Sequence, residues 1–306
     1  MILAPLRGVT IRSFRETFAE EIRAAGFTEA ITPFIAAISG YDPLRDRELG
    51  NPTIRQSDNP TIRITPQFIG KDPKALRDCL EKIRAAGYAT ADLNCGCPYP
   101  MVRRKGRGSG LLRTPDVLRK MLEVGCEVMG PNRFSVKVRL GVERSDELLG
   151  LMPIFNAFPL RFLTLHARTA KQMYAGSCDV AMAERIAQVA KMPIVYNGDV
   201  ELSLCRSPLS VASEVMIGRG FIRHLGMRED ASALMLRYLE VSAAELCGDV
   251  PVLGRMKELL AYWQDLPCWH RCWGAVKLCR TLTELRSCLT SSHFFPKVLC
   301  SFIKEI

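Results

Sequence analysis

The sequence predicts a (β/α)8 barrel followed by a small helical domain, and three observations lead to this prediction. As far as about residue 240, short apolar runs alternate with stretches that carry apolar residues at helical spacing. Eight of the runs are bounded by glycine, proline or polar residues, as strands usually are. Beyond that point only helical patterns follow. Strands that alternate with helices indicate a parallel sheet, and eight such repeats suit a closed barrel.

The predicted strands are short and mostly apolar. A doubly wound open sheet is the alternative arrangement of the same elements. In chain order the strands are Ile2–Ala4, Ala30–Phe34, Ile62–Ile69, Ala89–Asn94, Phe134–Arg139, Phe162–His166, Pro193–Asn197 and Glu214–Gly218.

Helix signals lie between most of these strands. Asp72-Pro73 and Thr114-Pro115 each combine a capping residue with a first-turn proline, which predicts a helix start. In the first part of the chain we predict helices over 11–25, 72–87 and 181–191, and one that begins at 114. In the tail we predict Leu253–Gln264, Trp273–Leu289 and Pro296–Glu305. The expected domains are therefore a barrel over 1–240 and a helical domain over 241–306.

Polar side chains at the predicted strand ends favour the barrel over the open sheet. The carboxyl ends of all eight strands meet at one mouth of a barrel, whereas an open sheet would spread them out. The residues at or just past these ends are Gln67, Asn94, Cys97, Lys137, Arg139, His166, Arg168, Asn197, Asp199 and Arg219.

The most informative segment is the heptapeptide Asp92-Leu93-Asn94-Cys95-Gly96-Cys97-Pro98, where an apolar strand ends in a polar turn. Glycine and proline give this turn an unusual backbone path and present Cys97 at the strand tip. A thiol held there can act as a nucleophile, a proton donor or a metal ligand. The alternative is a turn with two ordinary buried cysteines.

Two further strand ends predict an anionic ligand. Asn197-Gly198-Asp199 and Gly218-Arg219-Gly220 follow strands seven and eight, where barrels usually bind phosphate through backbone N–H groups. Lys137 lies inside an apolar strand, and a lysine at a barrel mouth requires an anionic partner, such as a reduced flavin. The alternatives are tight turns at the first site and helix-capping contacts for Lys137.

Composition bounds the class of protein. The chain has 306 residues, of which 48% are hydrophobic, and a net charge of +10. That charge favours a polyanionic partner, and the basic, glycine-rich stretch 103–110 after Cys97 could contact phosphates or be a solvated loop. The 12 cysteines lack disulfide-domain spacing, and no segment is apolar enough for a signal peptide or a membrane span, so we expect a cytoplasmic protein with free thiols.

We expect no metal site. Cys268, His270 and Cys272 form one cluster without a second matching pair, and the tryptophans beside them indicate packing instead.

Together the motifs resemble the tRNA-dihydrouridine synthase family, in the order in which that family carries them. Leu6 and Ala167 depart from its usual Met and Gly, and Ala36 stands near where the subgroup acting on uridine 16 has an arginine. The matching segments are Ala4-Pro5-Leu6-Arg7-Gly8, Gln67-Phe68-Ile69-Gly70, Asp92 through Pro98, Lys137-Val138-Arg139, His166-Ala167-Arg168-Thr169, Asn197-Gly198-Asp199 and Gly218-Arg219-Gly220.

The resemblance implies an FMN-dependent enzyme that reduces the C5–C6 bond of chosen tRNA uridines, with NADPH as reductant and Cys97 as proton donor. It implies flavin contacts for Leu6, Arg7, Gly8, Gln67, Lys137, His166, Asn197, Gly198, Asp199, Gly218 and Arg219. Asn94 and Tyr174 match positions that meet the target nucleotide, and we place Arg139 and Arg168 with them on the substrate side.

The tail is similar to the family's RNA-binding domain. Arg255-Met256-Lys257 and Tyr262 resemble the subgroup that acts on uridine 16, and Lys277 matches a further RNA contact. The expected partner is tRNA, with no metal and no membrane, and the expected state is a monomer.

Three other functions remain open at this point. Another FMN barrel oxidoreductase could act on a small heterocycle, a non-catalytic RNA-binding barrel would carry no flavin, and a phosphate-binding isomerase would need a carboxylate base such as Asp199.

Overall fold

The computed structural model describes residues 1–49, 62–203, 207–210 and 212–291. These residues form two compact units. Of the described residues, those within Met1–Pro5 and Gly26–Ile217 form the barrel unit, and those within Leu6–Ala25 and from Gly218 to Ser291 form the helical unit. The predicted tail helix Pro296–Glu305 lies outside the described residues.

The barrel unit contains one parallel sheet of ten short strands. Its order is β3-β5-β6-β7-β8-β9-β10-β1-β2-β4, and every pairing between neighbours is parallel. The strands are β1 Ile2–Leu3, β2 Glu29–Ile31, β3 Ile35–Ala36, β4 Arg63–Thr65, β5 Gln67–Ile69, β6 Ala91–Cys95, β7 Phe134–Arg139, β8 Leu163–His166, β9 Ile194–Asn197 and β10 Glu214–Ile217.

The sheet closes on itself as an eight-stranded barrel because β2 with β3, and β4 with β5, are successive parts of two interrupted strands. Pro33 lies in the first interruption and Pro66 is the second. Proline lacks the N–H that a central strand needs, so each predicted strand breaks there. The N–H of Thr32 still donates to the Thr65 carbonyl, 3.0 Å away, across the paired breaks. The predicted (β/α)8 barrel is confirmed.

Helices follow the strands of the barrel unit. They are α3 Pro73–Ala85, α4 Pro100–Arg103, α5 Pro115–Met129, α6 Glu147–Phe155 and α7 Val180–Val189. The Asp72 side chain accepts the N–H of Lys74 at 3.0 Å, which confirms the predicted cap of α3. Thr114 instead donates its hydroxyl to the Leu111 carbonyl, so α5 begins with its proline but without a side-chain cap. The helix α6 had no signal that we recognised.

The helical unit combines two helices near the start of the chain with five later ones. They are α1 Arg12–Thr17, α2 Ala19–Ala24, α8 Arg219–Gly226, α9 Ala231–Glu245, α10 Asp249–Leu260, α11 His270–Leu278 and α12 Leu282–Thr290. The single helices predicted over 11–25 and Trp273–Leu289 are each two helices in the structure. The helix α9 runs across residue 240, the boundary expected from sequence, and the assignment of a function to each domain remains a prediction.

Candidate active site

The turn after β6 holds Cys97 by its backbone. The side-chain oxygen of Asn94 accepts the N–H of Gly96 at 3.2 Å and the N–H of Cys97 at 2.9 Å. An asparagine that bonds the backbone two and three residues ahead forms a turn without help from the sheet. Cys97 is 7% exposed, so the turn presents it at a nearly closed surface.

The next loop fixes the other end of the same residue. The Cys97 carbonyl accepts the N–H of Ser109 at 3.2 Å and the Ser109 hydroxyl at 2.8 Å. Gly108 has a φ of +58°, and a Cβ there would lie 2.7 Å from the Cβ of Cys97. Only glycine allows the loop to pass this close. Both backbone groups of Cys97 are therefore anchored.

A relay of buried hydrogen bonds leads from this turn into the barrel. The Asn94 amide nitrogen donates to Gln67 Oε1 at 2.8 Å, and Gln67 Nε2 donates to Asp92 Oδ2 at 2.7 Å. The other carboxylate oxygen of Asp92 accepts the Ser135 hydroxyl at 2.6 Å. Gln67, Asp92 and Ser135 are each 0% exposed. Burial raises the pKa of Asp92 to about 6, while its bonds from Ser135 and Gln67 oppose that rise.

Lys137 lies one strand further round the barrel. Its ammonium donates to Asn197 Oδ1 at 2.8 Å, and the Asn197 amide nitrogen donates to the Met216 carbonyl at 2.8 Å. Burial, followed by the nearby positive charge of Arg139, lowers the pKa of Lys137 to about 7. Within the described residues no carboxylate oxygen lies within 4.0 Å of this ammonium. The site therefore contains a lysine that an anion would stabilise.

Arg139, which we expected on the substrate side, is 2% exposed and bonds backbone carbonyls. It donates to Gly96 at 2.9 Å, Thr169 at 3.0 Å and Met173 at 2.6 Å. Its guanidinium also lies over the ring of Tyr174, 5.3 Å from the centroid. Arg139 thus ties the Cys97 turn to the loop after β8.

Arg168 is also buried and bonds inside the protein. It pairs with both carboxylate oxygens of Asp199 and donates to the carbonyls of Ala175 and Gly176, the latter at 2.5 Å. The Asp199 carboxylate raises the pKa of Arg168 above its ordinary value. Cys178 adds a contact at 3.1 Å to the same guanidinium. The pair fixes the loop after β9 against the loop after β8.

Gly198 shows why the loop after β9 requires glycine. Its φ is +128°, and a Cβ there would lie 2.7 Å from the Cys178 sulfur and 3.2 Å from the His166 ring. His166 in turn packs near Tyr174, with 6.2 Å between ring centroids. The structure therefore brings the predicted residues of β5 to β9 into one connected set of contacts.

The predicted ligand residues Leu6, Arg7 and Gly8 belong to the helical unit. Leu6 donates its N–H to the Thr10 hydroxyl at 2.7 Å, and Gly8 has a φ of +82°. A Cβ at Gly8 would lie 2.5 Å from the Glu258 carboxylate, which is close enough for its negative charge to interact with Arg7. This loop therefore takes its shape from glycine.

Gly218 directly follows β10 and precedes α8. Its carbonyl accepts the N–H groups of Phe221 at 3.0 Å and Ile222 at 3.3 Å, so the helix begins at Arg219. The first turn of a helix presents N–H groups that favour an anion. The first residue of this helix is Arg219, for which we predict a contact with the cofactor.

The residues of the tail that we predict to contact RNA differ in their burial and in their hydrogen-bond partners. Arg255 is buried and donates to Glu245 at 2.5 Å and to Ser13 at 3.4 Å. Lys257 donates to the carbonyls of Lys277 at 2.9 Å and Cys279 at 2.6 Å. These contacts give both side chains structural roles within the helical unit.

Lys277 is exposed at the end of α11, with its ammonium 5.3 Å from the centre of the Trp273 ring. Tyr262 lies in a 3-10 turn, Ala261–Trp263, that follows α10, and its carbonyl accepts Arg223 at 3.5 Å. Tyr262 is half-buried, so of these two side chains Lys277 offers the larger surface.

Three residues of the site were missed at the sequence level. Asp92 gave a signal, because a charged side chain between two apolar residues of a strand must be paired or functional. Ser135 and Cys178 gave none that we recognise, since their contacts depend on neighbouring strands and loops.

Within the described ranges, no group of three or more His, Cys, Asp or Glu side chains could hold a metal ion. Over the same residues, none of the helices combines the length and the apolar character that crossing a bilayer requires.

The chain is similar to proteins of known classes. Residues 2–233 match the family model described as dihydrouridine synthase. The tRNA-dihydrouridine(16) synthase of Ralstonia nicotianae is 29% identical over 231 residues, which cover 72% of this chain and 69% of that protein. The tRNA-dihydrouridine synthase B of Escherichia coli K12 is 30% identical over 72% of this chain and 67% of its own length.

Solved structures with the same fold are more distant. Morphinone reductase in complex with tetrahydroNAD superposes with a TM-score of 0.53 at 13% identity, over 73% of this chain and 83% of that one. An old yellow enzyme homologue from Zymomonas mobilis gives a TM-score of 0.53 at 16% identity, over 73% and 85% of the two chains. These structures support the barrel alone. The family match spans nearly the whole barrel and continues into α9, and the chain belongs to the dihydrouridine synthase family.

Proposed function

We propose that this protein reduces specific uridines of tRNA to 5,6-dihydrouridine, using FMN as bound cofactor and NADPH as reductant. One observation carries the proposal: hydrogen bonds fix the backbone of the Cys97 turn at the barrel mouth. Side-chain contacts of the turn connect it to the rest of this mouth, where Lys137 lies. Both features lie within the part of the chain that matches the family model.

The residues present suit a flavin mononucleotide. Lys137 has a neutral amide as its hydrogen-bond partner and a depressed pKa, so an anionic edge of a ring would restore its charge. The loop after β9 has a glycine turn of the kind that a phosphate can approach closely. In the helical unit, the first turn of α8 presents the N–H groups that an anion favours. When bound and reduced, FMN supplies a hydride to C6 of the uracil.

Cys97 provides the proton that C5 then requires. A thiol of ordinary pKa, about 8.5, is mostly protonated at neutral pH and can act as a general acid. Anchoring of both its N–H and its carbonyl limits the distance over which the thiol can move. We assign Asn94 and Gln67 to holding this turn as well as to contacts with nucleotide and flavin.

A tRNA substrate explains features that a small molecule does not need. Arg104 and Lys105 are exposed just beyond the Cys97 turn, next to Tyr99 at 52% and Met101 at 78% exposure. Basic and apolar side chains together suit a phosphate backbone with unstacked bases. The target uracil must leave its stack, which costs less in a loop than in a duplex.

We assign 1–240 to catalysis and 241–306 to tRNA binding, in a monomeric, cytoplasmic enzyme. The Ralstonia relative is named for uridine 16, and the Escherichia coli relative is named synthase B. The resemblance around Lys257 and Tyr262 to the subgroup that acts on uridine 16 favours that position. Mapping dihydrouridine along tRNA from cells with and without this protein tests that position.

The activity is tested with the purified protein, FMN, NADPH and unmodified tRNA. We expect a yellow protein and a product two hydrogens heavier per modified uridine. Cys97→Ala should keep the flavin and reduce turnover by roughly 10²–10⁴-fold. Cys95→Ala is the matched control, because Cys95 is the neighbouring thiol but is 0% exposed in the strand. Normal turnover of Cys97→Ala, or a protein that takes up no FMN, would contradict the proposal.

Free uracil and orotate, offered in place of tRNA, test the rival barrel oxidoreductase. Reduction of these rings with no reduction of tRNA would favour that rival. Salt-dependent tRNA binding without flavin would favour the non-catalytic RNA-binding barrel.

A further inference from the structure

We propose that Asp92 is a positioning residue for Cys97, acting through the side-chain amides of Gln67 and Asn94. This inference rests on the proposed role of Cys97 as proton donor. The influence of Asp92 is transmitted by three successive hydrogen bonds, which join Asp92 to Gln67, Gln67 to Asn94, and Asn94 to the Cys97 N–H.

The carboxylate of Asp92 fixes the polarity of the relay. An ionised carboxylate only accepts hydrogen bonds, so the group of Gln67 that faces Asp92 must be its NH2. The Gln67 oxygen then faces Asn94 and requires the Asn94 NH2. The Asn94 oxygen is left to face the two backbone N–H groups of the turn, which require an acceptor. The carboxylate and the turn therefore demand the same orientation of both amides.

Strand register makes this relay possible. Gln67 lies opposite Asp92 in the pairing of β5 with β6, and Asp92 lies opposite Ser135 in the pairing of β6 with β7. Side chains at i and i+2 of a strand point to the same face, so Asp92 and Asn94 both reach Gln67 from one side. The Ser135 hydroxyl donates to the other carboxylate oxygen of Asp92.

Protonation of Asp92 would remove the constraint. A neutral carboxyl group can donate as well as accept, so Gln67 could rotate its amide and Asn94 would lose its fixed orientation. The charged groups that face Asp92 are Lys137 on β7, which favours the carboxylate, and Glu29 on β2, which disfavours it. Burial of Asp92 places this transition near pH 6, within an accessible range.

The test uses the rate of Cys97 alkylation by iodoacetamide, resolved by peptide mass spectrometry between pH 5 and 8. This readout needs neither FMN nor tRNA. For the wild type we expect the thiol's own ionisation plus an inflection near pH 6. Asp92→Asn should abolish the inflection and raise the alkylation rate at pH 7 by about two- to tenfold. A change of this size corresponds to the free energy of one hydrogen bond. The turnover of this variant with tRNA should fall at the same time.

Two further variants keep the proposal falsifiable if Asp92→Asn folds poorly. Ser135→Ala removes a bond that lowers the Asp92 pKa, so the inflection should move to higher pH. Glu29→Gln removes another buried carboxylate of the same unit but lies outside the relay, so its inflection should persist and move, at most, to lower pH. If Asp92→Asn keeps the inflection, the group that titrates would be Lys137 rather than Asp92, and the proposal would be overturned. Identical alkylation profiles for the wild type, Asp92→Asn and Ser135→Ala would also overturn it.

The proposed function and this inference fail in different ways. A wild-type protein that reduces no tRNA uridine contradicts the function, whereas the alkylation profiles test the relay by themselves. If Asp92→Asn changes the alkylation profile of Cys97 but not the turnover, Asp92 would control the turn but not catalysis. That result would overturn its role as a positioning residue.

Discussion

The ammonium of Lys137 donates to the side-chain oxygen of Asn197 across 2.8 Å, and the partner is a neutral amide. The lysine pKa falls from about 10.5 to about 7 because of its burial and the positive charge of Arg139, which the negative charge of Asp92 offsets only in part. Between these values the folded protein binds fewer protons than the unfolded chain. The free energy of unfolding of the flavin-free protein therefore rises with pH in this window, by up to about 1.4 kcal/mol per pH unit.

Lys137→Met should remove this dependence. At pH 7.5 we expect the flavin-free variant to be more stable than the wild type, and its advantage to shrink as the pH approaches 9.5. The variant should also retain FMN less well, since the flavin would lose the ammonium group that pairs with its anionic edge. Chemical denaturation at a series of pH values measures the difference, with Lys120→Met on the exposed face of α5 as control. A stability gap that is constant with pH would refute the prediction.

The exposed basic residues after the Cys97 turn should contribute to tRNA affinity through phosphate contacts. Replacing Arg104 and Lys105 together by glutamine should lower the slope of log affinity against log salt by about 0.8 for each charge. Filter binding at several salt concentrations measures the slope. Arg119 and Lys120, also exposed, form the matched pair, and their replacement should leave the slope nearly unchanged. Equal effects of the two pairs would mean that only net charge matters.

An ion pair joins the buried Glu29 of β2 to the half-buried Arg161, which precedes β8. Glu29 accepts Arg161 through both oxygens, at 2.7 and 2.6 Å, and one of these oxygens also accepts the Thr65 hydroxyl at 2.5 Å. Glu29→Ala would leave the arginine without its carboxylate partner. We expect a loss of about 3–5 kcal/mol in the free energy of unfolding, measured by urea denaturation. Glu81→Ala, which removes an exposed contact 3.9 Å from Arg77, should cost less than about 1 kcal/mol.

The barrel was readable from sequence because its strands are apolar runs that end at glycine, proline or polar residues. The predicted strand Phe134–Arg139 has the bounds that the structure gives to β7. The interruptions at Pro33 and Pro66 follow from the same chemistry, although the sequence pattern predicts one strand in each region. In the tail, Thr281 and Glu284 form a capping arrangement that begins a new helix, so the continuous helix predicted over Trp273–Leu289 was wrong.

The candidate site was less readable, because its contacts depend on register. The sequence named Gln67 and Asn94 separately, and their mutual hydrogen bond arises only when β5 and β6 are aligned. The sequence places Arg139 and Arg168 at strand ends, and we predict substrate contacts for both. Whether such an arginine meets solvent or backbone carbonyls is decided by loop conformation, which short-range patterns do not encode.

The geometry of the helical unit predicts one site of oxidation. Cys279 follows α11 and Cys288 lies on α12, and their sulfur atoms are 3.7 Å apart. A disulfide needs about 2.05 Å, so a small rotation of the side chains suffices. Treatment with diamide should join these two residues, with loss of two hydrogens to the oxidant. Burial raises the pKa of Cys279, so the reaction should accelerate from pH 7 to 9 as thiolate forms.

Peptide mass spectrometry without reduction measures the linkage. Cys288→Ser should abolish it, whereas Cys247→Ser, which removes an exposed thiol elsewhere in the same unit, should leave it intact. The bond would join the end of α11 to α12 beside the Cys279 carbonyl, which Lys257 already holds at 2.6 Å. Because these groups are close before oxidation, the helical unit should keep its helix content by circular dichroism. Oxidation that consumes Cys247 first, or a loss of helix when the linkage forms, would contradict this geometry.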